Sequence, residues 1–269
     1  MLRSKIFRTV GIAAAMLLAA TTVAAAAPGS AAATAGNYKK PMIVLVHGAF
    51  ADSGGWNGVA AKLIDDGYPV VAAANPLRGV ASDAAQVKAL LASINGPVVL
   101  VGHSYGGMVI SKAAVGAGNV KALVYVAGFA PVAGESGATL SAKYPGSTLG
   151  ETLRGVPLPG GNEDEYVDPT LFRQQFAADV PARDAQLMAV TQRPITAAAL
   201  NEVAQGPQAW QSLPSYFLVP TGDKNIPAAA HYFMAERAHG QVLTIKGASH
   251  AVFVSHPRAT AEFIERAAR

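Results

Sequence analysis

The groups in this chain that can do chemistry together are a serine hydroxyl, an imidazole and a carboxylate, far apart in sequence. Ser104 sits in Gly102-His103-Ser104-Tyr105-Gly106. The apolar run Val98–Val101 before it reads as a buried strand, and Met108–Ala114 after it can continue as a helix. A strand feeding a helix through G-x-S-x-G is a nucleophile elbow, a sharp turn that lifts the hydroxyl above the sheet. A serine hydroxyl is a weak nucleophile at neutral pH. It needs a base to take its proton and a third group to fix the tautomer of that base. In this kind of fold the order along the chain is serine, acid, histidine. Asp223, past the apolar run Ser215–Pro220, and His250, past Val242–Ile245, fit that order and lie at the same sheet edge as Ser104. The predicted catalytic set is therefore Ser104, His250 and Asp223.

The competing residues have plainer uses. His231 and His239 fall on or just after a predicted helix, His256 precedes the last helix, His103 is the variable elbow position, and His47 reads as a loop brace. Glu236, Glu262 and Glu265 belong to helices, whereas Asp164 and Asp168 are the second choices for the acid. An acyl-transfer intermediate also needs two backbone donors for its oxyanion. The amide of Tyr105 is one. The loop His47-Gly48-Ala49-Phe50 should give the other, with Ala49 preferred and Phe50 the alternative. Phe50, Phe129, Met188 and Phe253 are the expected apolar walls of a substrate pocket, although core packing would use the same residues.

Apolar runs alternate with helical stretches to position these groups. Strands are predicted at Pro41–His47, Pro69–Ala74, around the elbow and at Val120–Ala127. Helices are predicted at Trp56–Asp65, from a Ser82-Asp83 cap to Ile94, at Ala228–Ala238 and from Pro257 to Arg266. Continuous apolar strands separated by helices imply a mostly parallel sheet flanked by helices. Between about 129 and 214 the rhythm changes. Gly and Pro become frequent, an acidic knot stands at Glu163-Asp164-Glu165, and helical stretches follow at Pro169–Ala178, Arg183–Thr191 and Thr196–Glu202. No apolar run there reads as a sheet strand, so an inserted helical cap is expected.

The 269 residues suffice for one large domain; 51% are hydrophobic and 14% charged, which excludes disorder and gives no basic patch for nucleic acid. Arg3, Lys5 and Arg8 precede the apolar run Val10–Ala20, and small residues continue to Ala35. That pattern predicts a secretory signal cleaved within Ala26–Ala35, and no stable membrane association afterwards. The expected layout is signal and lead-in over 1–35, then one α/β domain over 36–269. With no cysteine in the chain, disulfides and thiolate metal sites are excluded. No metal or cofactor is expected.

Five segments taken jointly resemble the α/β-hydrolase superfamily: Val44–Ala49, Gly102–Gly107, Ala127–Pro131, Asp223–Pro227 and Gly247–His250. Within it, the chain is most similar to the plant methylesterase and hydroxynitrile lyase group with its bacterial esterase relatives. The resemblance implies the α/β-hydrolase fold, Ser104, Asp223 and His250 as a triad, Ala49 and Tyr105 as oxyanion donors, and a helical cap. In the lyase branch a lysine follows the catalytic histidine and a threonine follows the first-loop histidine. Here Ala251 and Gly48 stand in those places, which disfavours cyanohydrin cleavage. The expectation is a secreted serine carboxylesterase acting on small to medium apolar esters. A binding protein on a hydrolase fold, or a cofactor-free haloperoxidase or perhydrolase, is the alternative.

Overall fold

The computed structural model describes residues 40–269. The signal and lead-in read over 1–35 lie outside the described residues. The chain first lays down β1 (Met42–Val46), α1 (Asn57–Asp65) and β2 (Val70–Ala73). Then come α2 (Val80–Ala92), β3 (Val98–His103), α3 (Gly106–Ala113) and β4 (Val120–Val126). After an insertion, β8 (Ser215–Pro220), α9 (Ala228–Arg237) and β9 (Gln241–Ile245) complete the sheet. The short α10 (Val252–Ser255) and α11 (Pro257–Ala267) close the chain.

The main sheet has the order β2-β1-β3-β4-β8-β9 with every pair parallel. Of its central strands β3 is buried from end to end and β1, β4 and β8 at all but one residue each, whereas β2 and β9 at the edges are only partly covered. This is why the central strands read as unbroken apolar runs: helices cover both faces. In α11, Thr260, Ala261, Phe263, Ile264 and Ala267 form the buried stripe, and Pro257 opens the helix where no amide partner is needed. The order of strands reverses between β1 and β3, so the loops leaving these two neighbours diverge and leave a crevice at their carboxyl ends. Ser104 and the His47–Phe50 loop both lie there.

One boundary differs from the sequence reading for a tertiary reason. α2 starts at Val80, two residues ahead of the predicted Ser82-Asp83 cap. The Glu202 carboxylate, from the far side of the insertion, accepts the amides of Val80 and Ala81 at 2.7 and 3.0 Å. Asp83 is thereby turned inward.

The insertion carries α6 (Phe172–Phe176) and α8 (Ala197–Asn201) as shortened forms of two predicted helices and α7 (Ala182–Thr191) matching the third, while α4 (Gly137–Ser141) and α5 (Leu149–Thr152) were not anticipated. It also holds a three-stranded antiparallel sheet of β5 (Leu153–Pro157), β6 (Glu163–Val167) and β7 (Ile195–Thr196), which the sequence reading did not anticipate. β6 is Glu-Asp-Glu-Tyr-Val and only Val167 is buried. A ribbon wet on both faces leaves no apolar alternation to detect. Among the described residues, no helix is long and apolar enough to cross a membrane.

Candidate active site

Ser104 has φ 53, a left-handed conformation that costs a non-glycine residue about 1–3 kcal/mol. The turn is held by Ser104 N–H to Val126 O at 3.3 Å, and by Gly107 N–H and Phe129 N–H to Ser104 O at 2.9 and 3.1 Å. Close backbone passage enforces glycine on either side. A Cβ on Gly106 would stand 2.5 Å from Val46 O, and one on Gly48 would stand 2.6 Å from Ser104 Cβ. The β1 loop is thus pressed against the elbow.

Its amides can be assigned. Phe50 N–H donates to Arg193 O at 2.9 Å, so it is occupied. The amides of Ala49 and Tyr105 donate no hydrogen bond among the described residues, and both belong to backbone lying against Ser104. The loop itself is braced by His47. Its Nδ1 donates to Gly48 O at 2.9 Å, and its Nε2 accepts Asn75 N–H at 3.0 Å. Burial pushes the His47 imidazole below its ordinary value, which suits this neutral bracing form.

His250 Nδ1 donates to Asp223 Oδ2 at 2.7 Å, and both residues are buried. The other carboxylate oxygen accepts the amides of Asn225 and Ile226 at 2.7 and 3.0 Å. Burial alone would raise the Asp223 carboxyl. The electrostatic attraction between the ionised carboxylate and His250, with hydrogen bonds from His231 and His250, outweighs it and holds the group far below the usual carboxylate range. With Nδ1 protonated, His250 Nε2 keeps its lone pair, and it makes no hydrogen bond among the described residues. No hydrogen bond joins it to Ser104 Oγ in this structure; such contacts tighten only when the reacting group is in place.

Two neighbours of this pair escaped the sequence reading. His231, set aside there as a helix residue, donates from Nε2 to the same Asp223 Oδ2 at 3.1 Å. Its place in the first turn of α9, directly after the Asp223 loop, was the available signal. Phe176 of the insertion sets its ring edge-on to His250 at 4.9 Å, and its carbonyl accepts Ala251 N–H at 2.9 Å. No local pattern marks it. On another side, His103 Nε2 donates to His250 O at 3.1 Å. Burial, with the nearby His250, keeps the His103 ring well below its ordinary value.

Asp164 and Asp168, the second choices for the acid, are engaged elsewhere, with Arg78 at 2.6 Å and Arg154 at 3.0 Å. Of the four expected pocket walls, Phe50 and Phe129 flank Ser104. Phe253 does not. It is fully buried between the rings of Trp56 and His103, at 4.5 and 4.4 Å, and does core work. Met188 is separate as well, in a groove of about 520 Å³ on the other side of Phe50, beside Leu187 and Gly54. Over Ser104 the free space is only about 10 Å³, barely room for one water. Through Ser141, Leu149 and Leu200 it shares walls with an outer cavity of about 560 Å³ lined also by Lys143, Tyr144 and Leu153.

Residues 43–263 match the model of the alpha/beta hydrolase family, and the chain belongs to that family. It is similar to a putative chloroplastic methylesterase 11 of Arabidopsis thaliana, with 27% identity over 247 residues. That match takes in 84% of this chain and 63% of the plant protein, so the chain spans less than two thirds of that relative's length. Among solved structures, polyneuridine aldehyde esterase superposes with a TM-score of 0.74 at 20% identity, covering 85% of this chain and 99% of that one. An extracellular α/β-hydrolase from a Paenibacillus species, described as sharing structural and functional homology with tobacco salicylic acid binding protein 2, gives 0.68 at 23%, covering 85% and 99%. At such identities the structural likeness speaks for the fold.

Proposed function

We propose that this protein is a secreted serine carboxylesterase. Ser104 Oγ attacks the ester carbonyl while His250 Nε2 takes its proton. The amides of Ala49 and Tyr105 receive the charge on the carbonyl oxygen. His250 then returns the proton to the leaving alcohol, and water resolves the acyl-enzyme by the same steps in reverse. Asp223 orients His250 and stabilises its charged form. The observation that carries this reading is the buried 2.7 Å bond from His250 Nδ1 to Asp223, which leaves Nε2 as an unpaired base at the sheet edge that carries Ser104.

The substrate class follows from the space. The space of about 10 Å³ at Ser104 has room for little more than the reacting carbonyl oxygen, so the groups of the ester must extend toward the outer cavity of about 560 Å³. Apolar walls at Phe50, Phe129, Leu149 and Leu200 favour small to medium apolar esters. Secretion is supported by the pattern from Arg3 to Ala35, and the similar Paenibacillus protein is described as extracellular. No nucleic acid or membrane partner is part of the proposal. In the test, Ser104→Ala should keep the fold and lose hydrolysis of p-nitrophenyl acetate and butyrate. A variant that retains the parent rate overturns the assignment.

A further inference from the structure

Both halves of the oxyanion hole trace back, through separate chains of hydrogen bonds, to one short segment of the insertion. The first arm is direct. Arg193 O holds Phe50 N–H at 2.9 Å, and Phe50 stands at φ 60, so the turn that presents Ala49 is anchored from outside the β1 loop. The second arm is longer. Tyr105 is buried, and its hydroxyl donates to Asp83 Oδ2 at 3.0 Å. Asp83 is fully buried too, and its carboxylate also accepts Arg78 N–H, at 3.3 and 3.1 Å to its two oxygens, and Ser82 Oγ–H. The Leu77–Arg78 stretch is tied to the same segment. Thr196 N–H donates to Leu77 O at 3.1 Å, Thr196 Oγ1 to Arg78 O at 3.3 Å, and the Arg78 guanidinium to Pro194 O at 2.9 Å and Asp164 at 2.6 Å. Asp164 is the β6 partner of Thr196.

Apolar packing alone would not use this arrangement. Asp83 has no cationic partner among the described residues, and burial raises its carboxyl above the ordinary value. Holding a carboxylate there is costly unless its bonds do something an apolar side chain could not. What they do is fix Tyr105 at both ends: its backbone by the strained elbow, its ring tip by α2. An oxyanion donor is effective only when aimed beforehand, because reorienting it during reaction forfeits most of its electrostatic benefit.

Building on the proposed esterase mechanism, we propose that residues 193–196 of the insertion brace both oxyanion donors at once, with Asp83 and the Tyr105 hydroxyl as positioning residues of the longer arm. The position of the insertion and the quality of the oxyanion hole are then coupled.

The test uses the full-length enzyme, p-nitrophenyl butyrate, and a trifluoromethyl ketone whose adduct with a serine carries an oxyanion. Tyr105→Phe should lower kcat roughly tenfold with KM within about twofold, and weaken the ketone by the same factor. Arg78→Gln, at the half-exposed end of the arm, should shift both in the same direction by roughly threefold. Because the two act along one chain, the double variant should lose little more than Tyr105→Phe alone. Parent kcat and ketone affinity in Tyr105→Phe overturn the brace, as do fully additive losses in the double variant. Should Tyr105→Phe not fold, Arg78→Gln decides by itself: unchanged ketone affinity rejects the proposal. Labelling of Ser104 by a phosphonate separates the two readings. An unlabelled parent enzyme refutes the esterase mechanism, whereas labelled variants with intact ketone affinity refute only the brace.

Discussion

The rim of the parallel sheet and the insertion above it are built on opposite principles. At the rim, each functional group is set by the strand immediately before it: Ser104 by β3, Asp223 by β8, His250 by β9 and the Ala49 loop by β1. Ser104 follows β3 at once, Asp223 and His250 follow β8 and β9 after short loops, and glycine at 48 and 106 is required by contact. The insertion has no such frame. Its strands β5 and β6 are short and largely wet, and beside a few buried side chains such as Phe172, Phe176 and Ile195 it is held by scattered side-chain bonds: Arg78 to Asp164, Glu202 to the start of α2, Asp179 to Ser249. Chemistry needs the first kind of construction, since reacting groups tolerate little misplacement. Selectivity can vary with the second.

The contrast predicts a steep gradient of mutational effects. His250→Ala removes the proposed base and should lower kcat/KM by roughly 10⁴-fold or more on p-nitrophenyl butyrate. A loss under tenfold would break the account of the rim. Gly48→Ala tests contact rather than chemistry. Its Cβ must push Ser104 or the Ala49 amide aside, so kcat should fall by about 10²–10³. A full-rate Gly48→Ala enzyme would show that the loop is free to move.

Stability should separate the regions by pH. His47 and His103, at the rim, are held neutral by burial below their ordinary value of 6.5. Unfolding therefore takes up protons below pH 6.5, and stability falls as pH drops through that window. Asp83 works in the opposite sense, since its raised carboxyl is protonated more readily in the folded chain. The insertion acids contribute lower down. Asp168 is held below the ordinary 3.8 by hydrogen bonds from Thr170. Asp179 is also lowered, because bonds from Ser249 outweigh its burial. Their stabilisation is lost only as pH falls beneath that value. Thermal melts should show a first decline starting near pH 6.5, and a flat Tm from pH 7.5 to 4.5 would contradict the buried-histidine assignment. The smallest effect belongs to Val190→Ser on the exposed face of α7, where Val190 is 71% exposed. Activity should stay within twofold and Tm within about 2 °C.

How legible each region was in the sequence follows from the same contrast. The strands of the main sheet could be read because burial on both faces leaves unbroken apolar runs. Ser104, Asp223 and His250 could be expected at one rim because each comes soon after such a run. β5 and β6 could not, because a ribbon such as Glu163–Val167 has no dry face to leave a period, and β7, though buried, is only Ile195–Thr196, too short to show one. Met188 and Phe253 were misjudged for a related reason. An apolar side chain in an insertion or near the closing helices looks the same whether it lines a cavity or fills the core. The start of α2 was missed because its capping carboxylate, Glu202, comes from 122 residues away. His231 was passed over because helix membership says nothing of which strand end the first turn faces.

The esterase assignment is tested most directly by treating the purified enzyme with a fluorophosphonate and locating the adduct by peptide mass spectrometry. The account predicts a single covalent phosphonyl group on Ser104, formed in step with loss of esterase activity and absent in His250→Ala over the same interval. Inactivation with the adduct on another residue, or ester turnover that persists with Ser104 fully modified, would contradict it.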